Sequence, residues 1–321
     1  MHSVLEVLGK IGIVPVIKID DAAKAVPLAK ALIAGGIPCA EITFRTQAGE
    51  EAIRRINKEA PDILLGAGTV LSVDQVDRAI NAGAKFIVSP GFNPKVVSHC
   101  ITKGIPVTPG CSNPSDIEQA LELGLDVVKF FPAEQAGGLD YIKAIAAPYT
   151  TLKFMPTGGI NAANIATYIA YEKILACGGS WMVSASLINA GDFDRITALC
   201  REAILTMLGL SVAHLGVNTA NADEAAKAAW LFNTLFGFTT KNGVSSVFAS
   251  DSIEITKSPG LGTHGHIGIG TNTLPRAVAH FERQGIAFDP SSVKNDAAGN
   301  MAAIYFKDEI AGFAVHLVQK K

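Results

Sequence analysis

The chain has 321 residues with a formal net charge of -2, and 49% of them are hydrophobic and 17% charged. That length is long for one domain and comfortable for two, the composition argues against disorder, and the near-neutral balance gives no electrostatic case for a nucleic-acid or acidic membrane-surface partner. No apolar run reaches the ~20 residues needed to cross a bilayer, residues 1–10 lack a signal peptide's basic start and apolar segment, and the five cysteines, an odd number without a CxxC pair, indicate neither a disulfide framework nor a thiolate zinc site, so the cytoplasm is the expected location.

Up to about residue 205, short β-like runs alternate with helical patterns. The candidate strands are 13–19, 39–44, 64–70, 86–90, 106–111, 127–132, 153–159 and 176–181. Between them lie patterns such as 21–34, 49–59, 73–82, 114–123 and 161–171, apolar at helical spacing and often opened by Asp, Ser, Asn or Pro. Eight such units predict an α/β domain, a small (β/α)8 TIM barrel. A doubly wound open sheet is the alternative, but no GxGxxG turn follows the first strand to support dinucleotide binding.

The most informative stretch is Val127-Val128-Lys129-Phe130-Phe131-Pro132, a lysine inside an apolar strand. An unpaired buried ammonium is costly, so enclosure favours the neutral amine, which is the nucleophilic form. A lysine snorkelling from a strand edge is the plainer alternative. Alternation along Glu41-Ile42-Thr43-Phe44-Arg45 puts Glu41, Thr43 and Arg45 on one side and the apolar residues on the other. In a barrel the apolar side meets the helices, so Glu41, Arg45 and Lys129 share the interior near the C-terminal strand ends, where such barrels place their chemistry. A structural ion pair is the competing reading. Gly66-Ala-Gly-Thr69 lets backbone approach closely. Thr157-Gly158-Gly159 and Gly178-Gly179-Ser180 end the last two strands, where backbone N–H groups become available to a phosphate.

These residues carry a family resemblance. Glu41-Ile-Thr-Phe-Arg45-Thr46, Gly66-Ala-Gly-Thr69, Ser89-Pro90-Gly91, Thr108-Pro109-Gly110, Val128-Lys129-Phe-Phe-Pro-Ala-Glu134, Pro156-Thr157-Gly158-Gly159 and Gly178-Gly179-Ser180-Trp181 resemble, in order and spacing, the 2-keto-3-deoxy-6-phosphogluconate (KDPG) and 4-hydroxy-2-oxoglutarate (KHG) aldolases. The resemblance covers nearly all of residues 1–205. It implies a metal-free class I aldolase of the Entner-Doudoroff pathway that cleaves KDPG to pyruvate and glyceraldehyde 3-phosphate, or 4-hydroxy-2-oxoglutarate to pyruvate and glyoxylate, and that assembles as a homotrimer. On that resemblance Lys129 forms the Schiff base and Glu41 is the general acid and base. Arg45 and Thr69 hold the pyruvyl carboxylate, and Pro90 and Phe131 shape the pocket. Gly158, Gly159 and Ser180 hold the distal phosphate, with Thr157 close by. The chemistry agrees: breaking C3–C4 leaves charge beside C2, which a protonated imine accepts far better than a ketone. A guanidinium also clamps a carboxylate better than an ammonium does. A class II aldolase would need a divalent cation, and this half shows no cluster of His ligands.

Near residues 206–211 the rhythm changes, giving expected domains of 1–207 and 208–321. Val212-Ala-His214-Leu-Gly216-Val-Asn218 recurs at Gly265-His266-Ile-Gly268-Ile-Gly270. Each copy leads into a helix, 222–236 and then 274–284, followed by β-like runs, an internal duplication of two βαβββ-like modules in a smaller α+β domain. The layout resembles the glyoxalase I, or vicinal oxygen chelate, fold. That resemblance implies metal ligands at His214, Glu254, His266 and His316, a donor set suited to zinc, iron, nickel or manganese. The family's last position is usually a glutamate, so His316 departs from its pattern. A structural or assembly role is the leading expectation for this half. The alternative is a bifunctional chain with a divalent metal and glyoxalase-like activity.

Overall fold

The structure, a computed structural model, describes residues 1–320. It divides into two compact units, Met1–Met207 and the residues from Leu208 onward. Among the described residues no helix is long and apolar enough to cross a membrane.

The first unit carries eight strands: β1 (Ile13–Ile17), β2 (Cys39–Thr43), β3 (Leu64–Gly68), β4 (Phe86–Val88), β5 (Val107–Thr108), β6 (Val127–Phe130), β7 (Lys153–Pro156) and β8 (Cys177–Gly179). Parallel pairing runs β5-β4-β3-β2-β1-β8, with β6-β7 as a second ribbon. Parallel bridges Gly110↔Lys129 and Thr157↔Gly178 join the two pieces, so the curled sheet closes as an α/β TIM-type barrel. Crossover helices bury their apolar stripes: Ala52, Ile53 and Ile56 of Ala48–Glu59, and Val76 and Ala79 of Val73–Ala82. Their starts follow the sequence signals. Ser72 accepts a hydrogen bond from the Gln75 N–H, and Asn113 accepts one from Asp116 ahead of a proline at the first helical turn.

Every strand stops short of its sequence-predicted end, and after β3 and β7 the chain turns at residues of positive φ. Thr69 has φ 57°, and Gly158 and Gly159 have φ 101° and 80°. The 161–171 pattern contracts to a helix over Ile165–Ile169, and 21–34 begins with a 3-10 turn, Ala22–Lys24, before the helix Ala25–Ala34.

The second unit is one eight-stranded sheet with the order β10-β11-β12-β9-β13-β16-β15-β14. Its strands are β9 (Ser211–Val217), β10 (Thr240–Asn242), β11 (Ser246–Ala249), β12 (Ile253–Thr256), β13 (His266–Thr271), β14 (Lys294–Asn295), β15 (Met301–Tyr305) and β16 (Ala314–Gln319). The elements run strand, helix, then three strands, and that run occurs twice, with helices Ala222–Phe236 and Leu274–Arg283. Residue alternation sorts the sheet's faces. Val247, Ala249 and Ile255 pack with Ala225 and Ala229 of the first helix into an apolar core. Their strand neighbours Ser246, Phe248 and Glu254 therefore point to the face that this helix does not cover.

Candidate active site

Glu41 and Lys129 reach the barrel interior from opposite parts of the wall. Glu41 pairs with Val16 of β1 and Gly66 of β3, and Ile42, one residue on, is buried on the other face. Lys129 is held by backbone bonds on both sides, its N–H to the Pro109 carbonyl at 2.9 Å and its carbonyl accepting from Cys111 at 2.8 Å. These frames bring Lys129 Nζ to 3.6 Å from Glu41 Oε1. Lys129 is 4% exposed and Glu41 0%. Both Glu41 oxygens are buried without a hydrogen-bond partner among the described residues. A carboxylate so placed has unused acceptor capacity beside an amine.

Arg45 and Thr69 also meet, the Arg45 Nε donating to Thr69 Oγ1 at 3.2 Å. Thr69 holds a left-handed backbone that a β-branched residue rarely adopts, at a cost of about 1–3 kcal/mol. Arg45, Phe131, Thr157, Gly158, Gly159 and Ser180 share the lining of a cavity of about 540 Å³. Lys129 adjoins it through Phe131, whose ring centroid lies 5.3 Å from Nζ. Thr157 Oγ1 is buried there without a hydrogen-bond partner among the described residues. The Gly-Gly pairs serve different ends. Gly158 and Gly159 supply positive φ, whereas Gly178 and Gly179 leave room, since a Cβ would fall 2.2 Å from Thr157 Oγ1 and 1.9 Å from the Trp181 ring. Pro90 lies outside the cavity lining, at the end of β4, where its carbonyl oxygen would be 2.0 Å from a Cβ on Gly110.

Sequence reasoning missed Lys18. It lines the same cavity as the glycines and is ion-paired to Asp20 at 3.0 Å. Its signal was available: Val16 pairs with Glu41, so Lys18, two residues further on, has the same inward parity.

The model of the family "KDPG and KHG aldolase" matches residues 4–199. The chain belongs to the KDPG and KHG aldolase family. It is 52% identical over 204 residues to a 2-dehydro-3-deoxy-phosphogluconate aldolase of Treponema pallidum, covering 64% of this chain and 97% of that one. It is 45% identical over 192 residues to a KHG/KDPG aldolase of Escherichia coli K12, covering 60% of this chain and 90% of that one. Among solved structures, the KDPG aldolase of Zymomonas mobilis with 3-phosphoglycerate is 41% identical with a TM-score of 0.59, over 62% of this chain and 94% of that one. The KDPG aldolase of Legionella pneumophila, with pyruvate captured as a covalent carbinolamine, is 37% identical with a TM-score of 0.61, over 63% and 98% of the two chains. Membership makes the chain an aldehyde-lyase.

Outside the aldolase match, the second unit gathers a separate cluster. β9 and β13 pair antiparallel with His266 opposite Gly216 and Gly268 opposite His214. Each imidazole lies over the other strand's glycine. A Cβ on Gly216 would be 2.0 Å from the His266 ring, and one on Gly268 would be 2.4 Å from His214. His316 pairs with Gly268 from the other side. The His214, His266 and His316 ligand atoms all lie within 4.8 Å of one another. His316 Nε2 is 3.1 Å from His214 Nε2, and Glu254 Oε2 is 3.4 and 3.3 Å from His214 and His266 Nε2.

Burial pushes the His316 imidazole down to about 3, and burial also lowers His214. The hydrogen bond to His266 holds the Glu254 carboxyl down at about 2. At neutral pH His316 and His214 are thus neutral imidazoles and Glu254 a carboxylate, the forms that donate lone pairs.

Proposed function

We propose that the first unit is a class I aldolase that cleaves KDPG to pyruvate and glyceraldehyde 3-phosphate and also accepts 4-hydroxy-2-oxoglutarate. The observation that carries this is the buried Lys129–Glu41 contact at 3.6 Å. The amine attacks the substrate's C2 carbonyl to give a carbinolamine. Glu41 delivers a proton to the departing hydroxyl, water leaves, and an iminium forms. The Glu41 carboxylate next takes the proton of the C4 hydroxyl. The C3–C4 bond breaks, its electrons pass to the iminium nitrogen as an enamine, and the aldehyde departs. Protonation at C3 and hydrolysis then release pyruvate and the free amine.

Arg45 and Thr69 suit the pyruvyl carboxylate, because a guanidinium fork and a neighbouring hydroxyl match two oxygens. Gly158, Gly159, Ser180 and Lys18 suit the distal phosphate, through exposed backbone N–H groups, a hydroxyl and an ammonium. This favours the phosphorylated six-carbon acid over the shorter one. Phe131 supplies an apolar wall, and Pro90 supports the β4 end.

The decisive experiment is borohydride reduction in the presence of pyruvate. A covalent adduct mapped to Lys129 is expected, with none in Lys129→Ala. Cleavage at the wild-type rate by that variant would remove the reading. On the family resemblance the chain is a homotrimer, which analytical ultracentrifugation checks. Five buried thiols without a disulfide fit a reducing cytoplasm.

A further inference from the structure

We propose that Glu134, held by Tyr168, positions the Gly158-Gly159 turn and thereby sets the preference for a substrate with a distal phosphate over one that ends in a carboxylate. This rests on the reading of that turn as the phosphate site.

Glu134 closes the sequence motif that contains Lys129, yet it lies outside the cavity lining. The ladder between β6 and β7 continues past both strands: the Ala133 N–H donates to the Thr157 carbonyl at 2.8 Å, and the Glu134 N–H to the Gly158 carbonyl at 3.1 Å. Glu134 therefore runs alongside the turn. Its side chain fills the place where Gly159 has none, since a Cβ on Gly159 would stand 2.5 Å from Glu134 Cγ and 2.6 Å from Glu134 Cβ. Gly158 is backed in the same way by Pro132, whose Cα would be 3.2 Å from its Cβ.

The carboxylate is tied down as well. The Tyr168 hydroxyl donates to Glu134 Oε1, and a Cβ on Gly138 would be 3.3 Å from both oxygens, so backbone closes over the contact. Tyr168 is 2% exposed and belongs to the helix Ile165–Ile169. Burial, and then the hydrogen bond to Glu134, push its phenol above the usual tyrosine range, so it stays a donor at neutral pH.

The start of the same helix secures the far side of the turn. Asn161 and Asn164 donate through Nδ2 to the Gly159 carbonyl at 3.0 and 3.1 Å, and Asn164 Oδ1 accepts from the Asn161 N–H at 2.9 Å. Both glycine carbonyls are thus engaged by the protein. The Gly158 and Gly159 N–H groups, which have no acceptor among the described residues, are left for an anion. A turn fixed in advance does not have to be ordered when the phosphate binds.

Charge gives the hydroxyl a second effect. Glu134 is exposed, and a carboxylate moving freely beside a phosphate would repel it. Tyr168 turns that carboxylate towards a residue that does not line the cavity. 4-Hydroxy-2-oxoglutarate carries its second carboxylate directly on C4, short of the turn, so its cleavage does not depend on this arrangement.

The test compares steady-state cleavage of KDPG and 4-hydroxy-2-oxoglutarate by the full chain and four variants, with circular dichroism as the check on folding. Tyr168→Phe keeps the buried ring and removes only the hydroxyl. It should raise KM for KDPG about tenfold with kcat nearly unchanged, the pattern for lost binding rather than lost chemistry. Its kcat/KM for 4-hydroxy-2-oxoglutarate and its pyruvate adduct at Lys129 should match the wild type, and the KDPG deficit relative to wild type should shrink as salt is added. Glu134→Gln keeps the stem and an acceptor for Tyr168, and should restore near-wild-type KM. Glu134→Ala should lose about tenfold on KDPG alone, and Glu134→Ala/Tyr168→Phe no more than that, because the two residues act as one unit. Equal losses on both substrates, a loss confined to kcat, additive effects of the two changes, or unchanged kinetics in Tyr168→Phe overturn the proposal. Failure of the aldolase reading would show separately, as the absence of a borohydride adduct at Lys129 in the wild-type chain.

Discussion

Gly68 leaves the space that the Glu41 carboxylate occupies: a Cβ at residue 68 would stand 2.1 Å from Glu41 Oε1. The two residues sit on paired strands, with Thr43 opposite Gly68, so neither backbone can move aside without disturbing the ladder. Gly68→Ala is therefore expected to swing the carboxylate off its line to Lys129. Displacing an acid-base group by about 1 Å costs on the order of 10²-fold in rate. Steady-state cleavage of KDPG should show that loss in kcat, with the adduct at Lys129 still trapped by borohydride, only more slowly.

Arg45 meets Thr69 through Nε, which leaves the terminal nitrogens of its fork for a ligand. Arg45→Lys keeps the charge and removes the planar pair of donors. Pyruvate affinity is expected to fall about tenfold, or 1.4 kcal/mol. Pyruvate-concentration dependence of adduct formation measures it.

Lys18 is bound to Asp20 and half exposed in a cavity that also holds the Gly158-Gly159 turn. Lys18→Ala should lower kcat/KM for the phosphorylated six-carbon acid about tenfold, consistent with one lost charge-assisted contact. Pyruvate adduct formation should stay at the wild-type level, and the loss should shrink as ionic strength rises.

Burial pushes the thiols of Cys100, Cys111 and Cys200 up to about 12. Only about 10⁻⁴ of each is then thiolate at pH 8, rising tenfold per pH unit, and all five cysteines are buried. A disulfide reagent at pH 8 should label fewer than one thiol per native chain within minutes, and all five after denaturation.

Gly268→Ala places a Cβ against the His214 ring. The ring must shift, so the melting temperature of the second unit should fall by several degrees, the scale for overpacking a partly buried site. KDPG cleavage should be unchanged, because Gly268 lies outside residues 4–199 that match the aldolase family. Scanning calorimetry and a coupled pyruvate assay read the two effects on one sample.

The barrel was legible because its strands and helices differ in period. Val73–Ala82 begins and ends where the apolar spacing and the flanking Ser72 and Gly83 place it. Strand ends were less legible. At Thr69, Gly158 and Gly159 the backbone leaves the β region while the apolar pattern continues for a residue or two, so 64–70 and 153–159 read longer than the ladders are. Lys18 escaped notice because parity was applied to β2 and β6 but not to β1. The charged group touching Lys129 is the Glu41 carboxylate, whereas parity alone leaves Glu41 and Arg45 equally eligible neighbours.

By itself the sequence determined which residues share a face, because alternation along a strand is a property of covalent geometry: Glu41 with Thr43 and Arg45, and His214 with Gly216. It also determined the family, since several short motifs recur in fixed order. Distances between segments far apart in the chain were decided only by the tertiary structure. Lys129 and Glu41 are brought to 3.6 Å by closure of the barrel. His214 and His316 are brought to 3.1 Å by the register of β9, β13 and β16. No local signal encodes either separation, because each depends on how many strands intervene and on how their hydrogen bonds align.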